Sequence, residues 1–250
     1  MIDSPRAMAC VLLLAAACGG SSGTSVDAPV HTPGMPGYGA HGLRYYGLHT
    51  NEETSIATPS MTTQASGSTM IVSVGRGDIT AFALPTDSKG NAPYRQLGDA
   101  EPYTHYPSSG TALYAFTSAK GSDNLTVSTT TNASDEVTLA AVEVVEGTQI
   151  QAFAWNEVVQ PASEVPVTSH SVTTTGPATL VAFWWGDAPE PNDKTAVPNN
   201  DFKVIDSILL SGALVQCAVA VKNVSAAGTY DVTWAATPIQ GAQLWLVAVQ

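Results

Sequence analysis

The sequence predicts an all-β fold, a two-sheet β-sandwich of about eleven or twelve strands. Three observations lead there. First, apolar and polar residues alternate over short runs rich in Val, Ile and Thr. In 78–84, for example, Ile79, Ala81 and Ala83 share one face and Thr80, Phe82 and Leu84 the other. Second, turn residues (Gly, Pro, Asn, Asp, Ser) recur about every 8–12 residues. Third, no amphipathic helix of convincing length is present. The run 213–220 resembles one, but it is rich in Val and lies between Gly212 and Gly228.

The chain has 250 residues, 44% of them apolar and only 12% charged. That is enough to bury one sizeable core, and it leaves the surface to Ser, Thr, Asn and Gln. Nine Lys and Arg stand against 21 Asp and Glu, a formal net charge of −12. Such a charge repels polyanions. It excludes nucleic-acid binding, whose affinity comes mostly from cationic contact with phosphate. It also argues against attachment to anionic lipid through a basic patch.

Residues 1–17 read as a leader. The apolar run 7–17 is too short to span a bilayer as a helix. Small residues and then Cys18-Gly19-Gly20-Ser21-Ser22 follow it. This order resembles a bacterial lipoprotein signal peptide, with Cys18 as the lipidated residue. An ordinary secretory leader cut nearby is the alternative. The resemblance implies a membrane partner through an N-terminal lipid and a place in the cell envelope, at the outer membrane or cell surface. Residues 18–42, rich in Gly, Ser and Pro, read as a flexible tether, and 43–250 as the β-sandwich domain. Cys217 is the one cysteine left in that domain, so no disulfide forms inside it. It lies in an apolar alternating run and is expected to be a small buried residue.

Strands are expected at 68–74, 78–84, 111–118, 124–131, 136–145, 167–174, 178–185, 203–210, 213–223, 229–235 and 242–249, with a less regular stretch at 150–165. The last run is apolar to the C-terminus and must be paired on both sides, or it would invite aggregation. The two halves of the chain share strand–turn–strand spacing without a clear sequence repeat. Several segments in succession carry a resemblance: Met70-Ile71-Val72-Ser73-Val74, the turn Asp87-Ser88-Lys89-Gly90-Asn91, Leu113-Tyr114-Ala115-Phe116, Val142-Glu143-Val144 and Gly228-Thr229-Tyr230-Asp231-Val232-Thr233-Trp234. Together they resemble exported bacterial β-sandwich modules of jelly-roll type, of the adhesion or carbohydrate-binding kind. The resemblance covers about residues 65–250 and implies fold and export; it carries over no catalytic residue.

Candidate binding residues cluster at 179–193. Trp184 and Trp185 end an apolar strand and point to opposite faces. Either both are core residues, or one offers a flat face on which a sugar ring stacks. Asp187, Glu190 and Asp193 follow, hard oxygen donors of the type calcium takes, though in no EF-hand spacing. The alternative is a solvated loop. The five histidines (His31, His41, His49, His105, His170) show no metal-binding spacing. No catalytic motif is present, and no catalytic residue is assigned. Glu143 is expected to point inward, where a carboxylate is either paired or functional. The favoured expectation is a non-catalytic envelope lipoprotein that recognises a surface ligand or glycan, with no resident cofactor beyond calcium. Its alternatives are a purely structural lipoprotein and a polysaccharide hydrolase working through Glu143.

Overall fold

The most apolar strands are apolar on both faces, and this decides the architecture. Residues Val137–Val145 and Ala242–Val249 are buried along their whole length. A strand of that kind needs cover above and below its sheet.

The computed structural model describes residues 32–47, 53–78, 82–132, 135–159, 167–187, 195–210, 212–237 and 241–250. The first half of the chain forms β1 (Gly37–Tyr46), β2 (Ser55–Ala57), β3 (Ser66–Arg76), β4 (Thr86–Asp87), β5 (Arg95–Gln96), β6 (Glu101–Pro102), β7 (Gly110–Lys120), β8 (Val127–Thr130) and β9 (Val137–Val145). The second half forms β10 (Ile150–Val158), β11 (Val167–Thr168), β12 (Val172–Thr174), β13 (Ala178–Asp187), β14 (Thr195–Pro198) and β15 (Lys203–Ile208). It continues with β16 (Val215–Val224), β17 (Gly228–Tyr230), β18 (Thr233–Thr237) and β19 (Ala242–Val249).

The two-sheet jelly-roll sandwich is overturned. The fold is all-β, but the described strands form five antiparallel sheets. Two are large, with orders β1-β9-β3-β7-β5 and β10-β19-β13-β16-β15. The small sheet β2-β8-β4 belongs to the first half, and β11-β18-β14 and β12-β17 belong to the second. Three large apolar cores make four layers of them, with a smaller cluster of Tyr103, Trp185 and Val215 beside them. Ile71, Leu113, Val142 and Val144 of one large sheet meet Val181, Phe183, Val219 and Val247 of the other. Met70, Val72, Tyr114 and Leu139, on the opposite face of the first large sheet, pack on Ile56 and Val127 of its small one. Leu180, Trp184, Ala218 and Leu246 do the same against Val172, Val232 and Trp234. A two-sheet sandwich has one core and could not have covered these outer faces.

Pairing register shows that the halves repeat one another. Thr69 pairs with Val144, and Thr179 with Val249. Ile71 pairs with Ala115, and Val181 with Val221. Arg95 pairs with Ala115, and Lys203 with Val221. Even the irregularities agree: β1 is bulged between Tyr38 and His41, and β10 between Ile150 and Ala152. By this register Gly75 corresponds to Trp185, Thr111 to Cys217 and Thr138 to Gln243. Contacts between the halves are reciprocal as well. Strand β9 touches β16 as β7 touches β19. The Thr111 hydroxyl donates to Gln243 Oε1 at 2.8 Å, and the equivalent pair, Cys217 and Thr138, is also hydrogen-bonded. The chain is therefore an intramolecular pseudo-dimer with an isologous interface.

Equivalent residues meet where the pseudo-two-fold passes. A Cβ on Gly75 would collide with the indole of Trp185 and stand 2.7 Å from Thr138 Oγ1. One half supplies the knob and the other the hole. Two further differences from expectation concern strand ends. Strand β1 begins at Gly37, within the stretch expected as tether, and β10 runs through the stretch read as irregular. Of the strand expected at 78–84, residues 82–84 belong to no sheet, and 79–81 lie outside the described residues.

Adding a single methyl at Gly75 tests the on-axis seat. Gly75→Ala is expected to lower stability by about 1–3 kcal/mol through overpacking, read from urea unfolding followed by tryptophan emission. An unchanged midpoint would remove Gly75 as the seat of Trp185.

Candidate functional site

Strand β13 carries both predicted tryptophans into the interior. Trp184 is 0% exposed and packs with Leu180 and Ala182 beneath the outer sheets. Trp185 is 2% exposed and meets the Tyr103 ring nearly edge-on at 6.3 Å. Neither ring turns a face to solvent. Of the predicted oxygen donors, Asp187 ends β13, while Glu190 and Asp193 lie outside the described residues, as does Cys18. Among the described residues no group of three or more His, Cys, Asp and Glu side chains is arranged to hold a metal ion.

Buried charges in the described regions are committed to structure. Glu143 is 2% exposed and accepts from Ala40 N at 3.0 Å, Gln64 N at 2.8 Å and the Ser68 hydroxyl at 2.6 Å. It fills the space left by Gly39 at the β1 bulge. Glu136 accepts from the Tyr45 hydroxyl at 2.8 Å and from Leu214 N at 2.8 Å, so it ties the two halves together. Asp135 pairs with Arg76, whose Nε donates at 2.7 Å, and also accepts from Asp78 N. Burial raises the Asp135 carboxyl above its ordinary range, against the pull of the Arg76 guanidinium. Asp87 organises its turn by accepting from Lys89 N, Asn91 and the Tyr94 hydroxyl. Cys217 is a buried free thiol, as its alternating run predicts, pushed up to about 12 first by burial and then by the charge of Asp206.

Among the described residues, exposed aromatic and charged side chains gather along one seam between the halves, where β10 runs beside the segment 93–106. Ile150 faces the cleft that holds Arg95. Next along β10, Phe153 lies over Gly98, with a Cβ there standing 3.2 Å from its ring. Glu157, further on, accepts from Thr104 N at 3.2 Å and from the Thr104 hydroxyl. From Ile150 to Glu157 the seam runs about 23 Å at about 3.3 Å per residue. Phe153 is 41% exposed and Tyr106 40%.

The Tyr106 loop is prebuilt. Tyr103 N donates to Ser109 O and Ser109 N to Tyr106 O, each at 2.8 Å. The ring is propped by the edge of His105 at 4.3 Å and by Tyr103 at 6.1 Å. Tyr103 in turn rests on the buried Trp185. Carboxylates of Asp99, Glu101 and Glu157 gather at this end. Burial first, and then the charges of Asp99 and Glu157, push the Glu101 carboxyl upward.

Sequence reasoning singled out Trp185 and missed the residues it supports. His105 and Tyr106 stand in a short loop with no periodicity, and Phe153 and Glu157 lie in a strand whose polar–apolar alternation is weak. The one available signal was the aromatic cluster Tyr103, His105 and Tyr106 within four residues. His41, by contrast, is spent at the opposite edge of the interface, where its Nδ1 meets Asp206 Oδ2 at 2.7 Å. Comparison with protein-family models, with curated proteins and with solved structures finds no match.

The buried acids set an alkaline limit on stability. Cys217 and Tyr114 are both pushed up to about 12, from ordinary values of 9.0 and 10.0, and Tyr45 and Tyr94 are raised too. The unfolded chain sheds these protons first, so stability is fully present below about pH 9 and falls as pH rises toward about 12. Urea midpoints at pH 8 and pH 11 check this, with a clear drop expected. Iodoacetamide at pH 8 should modify Cys217 only as fast as the chain unfolds.

Proposed function

We propose that this protein is a non-catalytic recognition module of the cell envelope, anchored by lipid on Cys18, that binds a glycan along the β10 seam. The observation that carries the reading is two exposed aromatic rings, Phe153 on β10 and Tyr106 in the loop that meets β10 through Thr104 and Glu157, beside a group of carboxylates. Sugar rings stack their C–H faces on aromatic side chains, and carboxylates accept hydrogen bonds from sugar hydroxyls. Loop 103–109 holds Tyr106 in place before any ligand arrives, which lowers the ordering cost of binding. Glu143 does not support the hydrolase alternative, because its carboxylate is buried and hydrogen-bonded on both oxygens.

Two measurements test the proposal. Tyr106→Ala and Phe153→Ala are each expected to weaken retention on a glycan array by about tenfold, in line with about 1–3 kcal/mol per stacked ring, while the thermal midpoint stays within a few degrees. Unchanged retention in both variants would sink the seam as the site. For the anchor, Cys18→Ser is expected to abolish incorporation of an alkynyl fatty acid in cells and release the protein from the membrane fraction. Continued labelling of that variant would refute lipidation at Cys18.

A further inference from the structure

The seam ends, on the side away from Tyr106, in a cleft of about 540 Å³, a volume in the range of small-ligand sites, which gather where two units meet. Its walls come from both halves. Arg95, Phe116 and Thr117 belong to the first, and Thr148, Gln149 and Ile150 to the second. Arg95 is exposed and stands on β5, fixed opposite Ala115. The other wall is pinned by the C-terminal residue: Thr148 N and Gln149 N both donate to Gln250 O at 2.7 Å, and Gln250 N donates to Gln149 O at 2.9 Å. At the pseudo-equivalent edge the register places Lys203 where Arg95 stands, and His41 and Asp206 bridge the halves there.

We infer that this cleft seats a uronic acid, a hydroxylated sugar ring carrying one carboxylate, so that the glycan recognised along the seam is an acidic one. The inference rests on the reading of the seam as a glycan site and names the sugar class. The lining matches that ligand group by group. The guanidinium is a planar fork of donors that fits a carboxylate through two parallel hydrogen bonds. The hydroxyls of Thr117 and Thr148 and the amide of Gln149 both donate and accept, which suits ring hydroxyls. Phe116, Pro93 and Ile150 give the apolar surface that the C–H face of a sugar prefers.

Charge narrows the class further. The cleft lining holds a single ionisable side chain, the Arg95 cation, which suits a ligand that carries one negative charge. The carboxylates of Glu101 and Glu157 sit toward the other end of the seam, and Asp99 lies between, next to Gly98 beneath Phe153. Salt weakens their repulsion at the cleft, the Debye length being about 8 Å at physiological ionic strength. The same carboxylates disfavour a second uronate there, so the seam reads an acidic ring at one end and neutral rings at the other.

Saturation-transfer NMR on the 18–250 chain tests this with two matched pairs, galacturonate against galactose and glucuronate against glucose. Arg95→Gln is the key variant, with Tyr106→Ala and Arg44→Gln beside it. The expected result is tighter binding of a uronate than of its neutral partner by about tenfold, the usual weight of a charge-assisted hydrogen bond. That preference should be lost in Arg95→Gln and kept in Arg44→Gln. Equal binding of acid and neutral sugar, lost in Tyr106→Ala, would overturn the acidic class while the seam reading stands. A uronate preference that survives Arg95→Gln would overturn the cleft assignment. No binding of any sugar, on the array or by NMR, would overturn both.

Discussion

Burial of two large sheets on both faces is the constraint from which the rest of this structure follows. Strands β9 and β19 have no polar face to offer water. Each large sheet therefore needs two partners. One partner is local, a small sheet built from the connections between the long strands. The other is the large sheet of the opposite half. The hydrophobic gain at about 25 cal/mol per Å² is collected three times over, in three stacked cores. The connections between the long strands, which in an ordinary sandwich would be loops, contribute short strands of two to five residues that close the outer faces.

Pairing the halves as a pseudo-dimer creates positions where equivalent residues meet, and a duplicated chain is free to make them different. A symmetric dimer would place Trp against Trp or Gly against Gly, an overpacked seat or a hole. Gly75 beneath Trp185 avoids both. Away from the centre the two edges of the interface have diverged in a second way. At one edge, β1 and β15 are joined by His41 and Asp206. At the other, the position of His41 is taken by Phe153 over Gly98, and the edge stays partly open. Duplication thus leaves one seam closed by a side-chain pair and the other partly open.

How much of this was legible in the sequence depended on where each strand sits. Central strands declared themselves through continuous apolar runs: β3, β7, β9, β13, β16 and β19 all lie where alternation and turn spacing place them. The two long strands that were missed, β1 and β10, are equivalent edge strands, paired on one side only and half exposed. Their mixed composition (Gly, His, Arg and Tyr in one, Gln, Asn and Glu in the other) suits an edge and blurs the period. Layer number was missed for a related reason. A run such as 180–185 is apolar at every position, which says that both faces are buried but not what covers them. The duplication was invisible because pairing register, not residue identity, is what repeats: Glu143 holds the β1 bulge, while its counterpart Ala248 leaves the β10 bulge without such a carboxylate.

The same division explains why the candidate site lay where sequence reasoning did not look. Trp184 and Trp185 drew attention because large aromatic residues carry binding energy, but in a four-layer stack a central strand end is interior. Trp185 acts at one remove, as the floor on which Tyr103 and then Tyr106 stand. Buried ionisable groups were similarly informative about cohesion. Glu136, Glu143 and Asp135 each neutralise backbone donors or a guanidinium that the stacking leaves dry, and an unpaired partner there would cost more than the pair gains. Among the described residues, exposed side chains that the cores do not depend on include several at the open edge. Phe153, Tyr106 and Arg95 keep their polar or aromatic surface toward water, and changing any of them removes little that the cores depend on. The residues that hold the cores together and the residues of the proposed site are therefore different ones, so the surface at the open edge can vary while the fold is kept.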